Sequence, residues 1–139
     1  MRYAMPQGAK IVVKANYMKI EREDASAVAE RKEILEKELH RIVATLIEKY
    51  QPEKIILFGS LASGEVHEWS DVDLLVVKES KEKRLMDRVM NIMAMLNYPE
   101  VAVDIFVYTP EEIDYLLKEG SQFIAEILEQ GKVLYEKAD

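Results

Sequence analysis

Asp71 and Asp73 are separated by a single residue. On a β-strand, residues at i and i+2 point to the same face. Their attachment points then lie about 6.6 Å apart, at a rise of about 3.3 Å per residue. Two carboxylates held that close repel, and a shared cation removes the repulsion. All-oxygen donors suit hard divalent ions such as Mg²⁺ or Mn²⁺. A solvated pair at the mouth of a strand is the plainer alternative for these two acids alone. Asp104 alters that balance. In VAVDIFVY, Val101–Tyr108, alternation puts Asp104 on one face with Ala102, Phe106 and Tyr108, and Val101, Val103, Ile105 and Val107 on the other. A carboxylate inside such a strand is costly unless it is paired, hydrogen-bonded or bound to a cation. If the two strands are neighbours, three acids meet at one point, which is hard to explain without metal.

Gly59-Ser60 follows the apolar run KIILF and precedes a short helical turn expected over 61–65. Glycine lets a ligand approach the backbone, and free N–H groups at a helix start favour an anion. The Ser60 hydroxyl adds a donor for phosphate. Gly-Ser is also an ordinary turn pair, so its weight lies in the spacing: Gly59-Ser60, ten residues, then Asp71-Val72-Asp73. His40 and His67 are the only histidines and cysteine is absent. Thiolate and histidine-rich metal sites, disulfide scaffolds and cysteine nucleophiles are therefore ruled out. Trp69 stands next to the acidic strand and reads as a packing residue. Met86, Met90, Met93 and Met95 read as helix core or interface.

These residues need strands and helices to hold them. Ile34, Leu35, Leu39, Ile42, Val43, Leu46, Ile47 and Tyr50 make one apolar stripe and predict a helix over 29–50. Strands are expected at Lys54–Phe58, Asp71–Val77, Val101–Tyr108 and Lys132–Tyr135. Further helices are expected over 81–97, 110–118 and 121–130, the second opened by Thr109-Pro110-Glu111-Glu112. That order implies an α/β (α+β) fold, a small mixed β-sheet packed with helices. Residues 1–20 read as an N-terminal extension, either an upstream or disordered segment ahead of Met18 or an edge strand at Ile11–Tyr17, and 21–139 as the domain.

The 139 residues carry a net charge of −7. Residues 1–20 hold Arg2, Lys10, Lys14 and Lys19 and no acid, so the remainder is more acidic still. Such a surface repels a polyanion and argues against direct binding of long nucleic acid, while leaving room for a metal-bridged nucleotide. No apolar run suits a transmembrane helix and no leader is recognisable. A reduced, cytoplasmic setting is the expectation.

The spacing resembles the signature of the DNA polymerase β-like nucleotidyltransferase superfamily. The stretch FGSLASGEVHEWSDVDLLVV, the later strand with Asp104 and the tail FIAEILEQGKVLYE look like the minimal nucleotidyltransferase (MNT) family. The resemblance implies that Gly59 and Ser60 hold the triphosphate of ATP or another NTP. It implies that Asp71 and Asp73 ligate two Mg²⁺ ions (or Mn²⁺), with Asp104 a ligand of the catalytic metal and the activator of an acceptor hydroxyl. It also implies a HEPN-domain partner, for which the chain would be an antitoxin transferring AMP. Two rivals stay open: a module that neutralises its partner by contact alone, and a homo-oligomeric small-molecule nucleotidyltransferase. Many members have Arg directly after Gly-Ser and again two residues later. Here Leu61 and Ser63 stand at those positions, which leaves Lys78, Lys81, Lys83 or Arg84 as substitutes or as plain solvated charge.

Overall fold

The computed structural model of the chain describes residues 9–14, 17–22 and 24–138. Two strands come first, β1 (Ala9–Lys14) and β2 (Tyr17–Arg22), paired antiparallel with Ile11 opposite Ile20. They form a separate two-stranded sheet. A hairpin thus replaces the single edge strand expected at Ile11–Tyr17. Residues 1–8 of the expected extension lie outside the described residues.

Helix α1 (Ala25–Thr45) continues into a π turn, Leu46–Tyr50. It starts earlier than the apolar stripe suggests because Asp24 caps it, accepting a hydrogen bond from the Ser26 N–H at 2.8 Å. Gln51, at φ 55°, ends the turn before Pro52. Then follow β3 (Lys54–Phe58), α2 (Gly59–Ser63), β4 (Val72–Val77), α3 (Leu85–Met95), β5 (Val103–Tyr108), α4 (Pro110–Lys118), α5 (Gln122–Gln130) and β6 (Lys132–Glu136). The four-stranded sheet has the order β5-β4-β3-β6. β3 runs antiparallel to both β4 and β6, while β4 and β5 are parallel and joined through α3. This is the mixed sheet with packed helices that the element order implies.

Both faces of the sheet are covered. Ile55, Leu57, Leu74, Val76, Ile105 and Val107 pack with Leu35 and Ile42 of α1 and Ile92 of α3. Ile56, Leu75 and Val77 pack on the other side with Ile113 of α4 and Ile124 and Ile127 of α5. Strands buried on both faces read as continuous apolar runs, which is why KIILF and DLLVV carry little alternation. Arg88 of α3, only 3% exposed, joins the layers. It donates to Glu112 Oε1 at 2.6 Å, to the Val107 carbonyl at 3.1 Å and to the Glu82 carbonyl at 2.7 Å. Glu112 also accepts from the Thr109 N–H at 2.8 Å, completing a capping box that starts α4 as expected. The Arg88 hydrogen bond holds the Glu112 carboxyl below its ordinary value.

Candidate active site

β3, β4 and β5 bring one end of the sheet together. Phe58 faces Asp73 across the β3–β4 pair, and Asp73 faces Asp104 across β4–β5. Residues directly opposite in a ladder share a face, so both acids lie on the side covered farther along by α4 and α5. Phe106 and Tyr108 pack on that side and Val103, Ile105 and Val107 on the other, as the alternation predicts. Asp104 is exposed, because the helices cover Phe106 and Tyr108 but not the start of β5. The burden of burial falls on the half-buried Asp73 instead. Its carboxyl is pushed up to about 6, first by burial, then by the charge of Asp104, a hydrogen bond with Asp104 and the charge of Asp71.

Asp71 sits just before β4. Arg31 of α1 holds it, with Nη2 3.8 Å from Asp71 Oδ1 and Nε donating to the Ser70 carbonyl at 2.9 Å. Among the described residues, no three acidic or histidine side chains already converge around one ion position. The structure therefore brings Asp73 and Asp104 into contact and leaves Asp71 engaged by Arg31. Arg31 is absent from the sequence-based site. The available signal was a cation at i−4 from the core residue Leu35 and i+3 from Val28, inside the buried edge of α1.

Gly59 opens α2 with φ +76°. A Cβ built there would overlap Oδ2 of Asp73 and stand 3.0 Å from its Cγ. The sequence suggested that Gly59 keeps room for phosphate. The room it keeps is occupied by the Asp73 carboxylate, so Gly59 and Asp73 form one packing unit. Ser60 follows, partly buried, at the wall of a cavity of about 430 Å³ between α2 and α5. Leu61 is 7% exposed and belongs to the core, so it replaces an arginine with a packing residue, while Ser63 lines the cavity. Lys78 is remote from the acids. It follows the far end of β4, where Nζ donates to the Gln51 carbonyl at 3.0 Å and lies over the Tyr50 ring. Residues 81–84 follow it in the connection between the far end of β4 and α3. Lys78 is thus engaged away from the acids. His40 is exposed. Trp69 is 53% exposed and stacks on His67 at 4.9 Å, so it belongs to the loop surface and not to the core. Met86 and Met90 are exposed as well, whereas Met93 packs on the core.

The position of Asp73 fixes a pH response. A carboxyl raised in the folded state binds its proton more tightly there than in the unfolded chain. Stability of the metal-free protein therefore falls as pH rises from about 4 to about 6, and the penalty is fully present above that window. Asp73→Asn removes it. At pH 7 the variant should exceed wild type by about 1 kcal/mol, after allowance for solvent screening at this half-buried group. At pH 4 the gap should close. Melting curves in a chelator at both pH values measure it, and a gap independent of pH would refute the coupling.

Residues 40–139 match the family model described as Polymerase beta, Nucleotidyltransferase, more than half of the chain. The chain belongs to this nucleotidyltransferase family. Two relatives come from Methanocaldococcus jannaschii. "Putative protein adenylyltransferase MJ1305" is 33% identical over 110 residues, covering 73% of this chain and 75% of the relative. "Putative protein adenylyltransferase MJ0604" is 34% identical over 102 residues, covering 72% and 97%. A crystal structure from Sulfolobus solfataricus, described as a "putative nucleotidyltransferase", superposes with a TM-score of 0.55 at 22% identity. It covers 82% of this chain and 91% of that one, and supports the nucleotidyltransferase fold. As an enzyme, the chain is a nucleotidyltransferase. No helix among the described residues is long and apolar enough to cross a membrane.

Proposed function

We propose that this nucleotidyltransferase moves the AMP of ATP onto a hydroxyl of a partner protein, with two Mg²⁺ ions as cofactor. The observation that carries the reading is the Asp73–Asp104 contact on adjacent parallel strands, next to Gly59-Ser60. The names of the two archaeal relatives support protein as the acceptor.

The donor set suits a divalent ion. Asp73 holds a proton unusually tightly, first because it is half-buried and then because Asp104 and Asp71 share its neighbourhood, and a cation in the same place relieves that repulsion. Asp71, Asp73 and Asp104 would supply the carboxylate oxygens. Bound metal ions would supply charge neutralisation at the attacking and leaving oxygens. Asp104, exposed at the rim, would accept the proton of an incoming acceptor hydroxyl. Ser60 donates a hydrogen bond to the triphosphate, and Gly59 keeps Asp73 in its place. Arg31 orients Asp71 through the ion pair and through the Ser70 carbonyl. The resemblance to MNT proteins suggests a HEPN-domain protein as the partner and an antitoxin role. The acidic surface complements a basic, RNA-binding partner.

Calorimetry with Mn²⁺ and with MgATP tests the centre. An Asp71→Asn, Asp73→Asn double variant should lose metal-dependent ATP binding; equal binding would move the site elsewhere. Ser60→Ala should melt like wild type without ligand. It should lose most of the MgATP-dependent thermal shift, since a charge-assisted hydrogen bond is worth about 1.5–3 kcal/mol. An unchanged shift takes Ser60 out of the site. A second reading, neutralisation of the partner by contact alone, draws on Leu61 lying in the core where many relatives grip phosphate with arginine.

A further inference from the structure

α3 lacks the polar outer face that a surface helix carries. Its inner side is accounted for: Arg88, Ile92 and Leu96 are buried, the last two in the core shared with α1. Met86, Met90 and Ala94 follow one another at four-residue spacing on the outer side. Met86 is 67% exposed and Met90 46%, and Ala94 is exposed as well. Apart from the buried Arg88, only Asp87 and Asn91 of α3 are polar. A helix apolar on nearly every side is normally covered. Methionines suit such a cover, because their flexible, polarizable side chains adapt to the surface they meet.

The charges at the two ends indicate what covers it. Lys81, Lys83 and Arg84 are exposed just before α3, against Glu82 and the first-turn Asp87. Beyond the other end stand the exposed Glu100 and the Glu38–Arg41 pair, which line one shallow cleft with Leu96. Arg41 reaches the helix end itself, donating to the Leu96 carbonyl at 3.1 Å. The last turn of α3 has no basic side chain of its own. A helix start favours anions and a helix end favours cations. The excess positive charge before α3 and the excess negative charge after it are the reverse of what a lone helix prefers. Laid antiparallel on a second copy, each start meets the other's end, and the methionine stripes meet between them.

We propose that α3 is the contact face of a two-fold homodimer. It packs antiparallel on α3 of a second copy about Met90, with Lys83 and Arg84 set against Glu100 of the partner subunit. α3 lies on the α1 side of the sheet, while Asp73 and Asp104 face the α4–α5 side, so the pairing leaves both acidic centres open.

Sedimentation of the full chain from about 1 µM to about 1 mM tests this without metal or nucleotide. Wild type should pass from monomer to dimer over that range. Met90→Glu puts two like charges at the two-fold axis and should raise the dissociation constant about a hundredfold or more. Because Met90 is a surface residue in the monomer, the melting temperature of the dilute variant should stay near that of wild type. Reversing one end, by Lys83→Glu with Arg84→Glu or by Glu100→Lys, should weaken the dimer about fivefold or more, and combining the two reversals should restore it. A monomer throughout the range overturns the homodimer and leaves the methionine face to a different protein. A dimer untouched by folded Met90→Glu places the contact elsewhere. Failure of the combined reversal to restore the dimer overturns the antiparallel arrangement.

Discussion

Asp104→Asn should abolish transfer of labelled AMP to the partner while leaving the protein folded and the complex intact. Asp104 is exposed at the start of β5, so the change opens no cavity in the core. The amide keeps the size of the side chain and removes one negative charge and its proton-accepting oxygen. Loss of a positioned general base alone slows a reaction by about a hundredfold to ten-thousandfold. Here a charge that would help hold a metal ion disappears with it, so the upper end is expected. The same variant should lower the proton affinity of Asp73, because the like charge and the hydrogen bond that raise it are both removed. Two measurements check this: AMP incorporation with MgATP, and the midpoint of the pH-dependent stability curve. A variant that transfers nothing but still suppresses the partner's activity as well as wild type does would favour the contact-only reading.

Gly59→Ala should damage stability and transfer together, and the damage should depend on Asp73. Two effects add. A non-glycine residue at φ +76° costs about 1–2 kcal/mol. The new methyl group also overlaps the Asp73 carboxylate, which must leave its present place opposite Asp104. ATP turnover should therefore fall by more than the stability loss explains, because the surviving folded molecules hold a displaced Asp73. A double-mutant cycle separates the two effects. In an Asp73→Gly background the methyl group meets no carboxylate, and only the backbone penalty remains. The stability cost of Gly59→Ala should then shrink by about 1 kcal/mol or more, a range usual for residues in contact. Equal costs in both backgrounds would show that Gly59 and Asp73 do not pack as a unit. Gly59→Val should be worse still, since its branched side chain has even less room.

The strands were legible because their apolar runs are short, bounded by Gly, Pro and polar pairs, and long enough to fix which residues share a face. The alternation of VAVDIFVY placed Asp104 with Phe106, and the register confirms it beside Asp73. What alternation does not reveal is how far covering helices extend along a strand. The expected burial of Asp104 therefore fell on Asp73. The start of α1 was hidden because Asp24 caps a turn of small residues, Ala25, Ala27 and Ala29, that adds little to the apolar stripe. Arg31 lies just inside the expected helix, but its pairing with Asp71 joins elements 40 residues apart, a relation local patterns do not carry. Lys78 stands apart from the acids for a topological reason. A strand separates its two ends, so residues near Asp73 in sequence are distant once β4 is extended. Gly59 was legible as a special position, but its neighbour was not.

The parallel pairing of β4 with β5 has a kinetic consequence. β3 and β4 are antiparallel neighbours joined by residues 59–71, so they can zip together as soon as both have emerged from the ribosome. β5 must wait for residues 78–102 to fold back across the sheet, and non-local pairings of this kind close slowly. A nascent chain that ends before Val103 already holds Gly59, Ser60, Asp71 and Asp73, but not Asp104. Arg88 fastens the crossover only after Val107 and Glu112 have been made. Competence for chemistry would thus be acquired in one late step, which keeps half-made chains from consuming nucleotide. Pulsed hydrogen exchange during refolding should protect the amides of Ile55 and Leu57 before those of Phe106 and Tyr108, which face β4, and the reverse order would contradict this sequence of events.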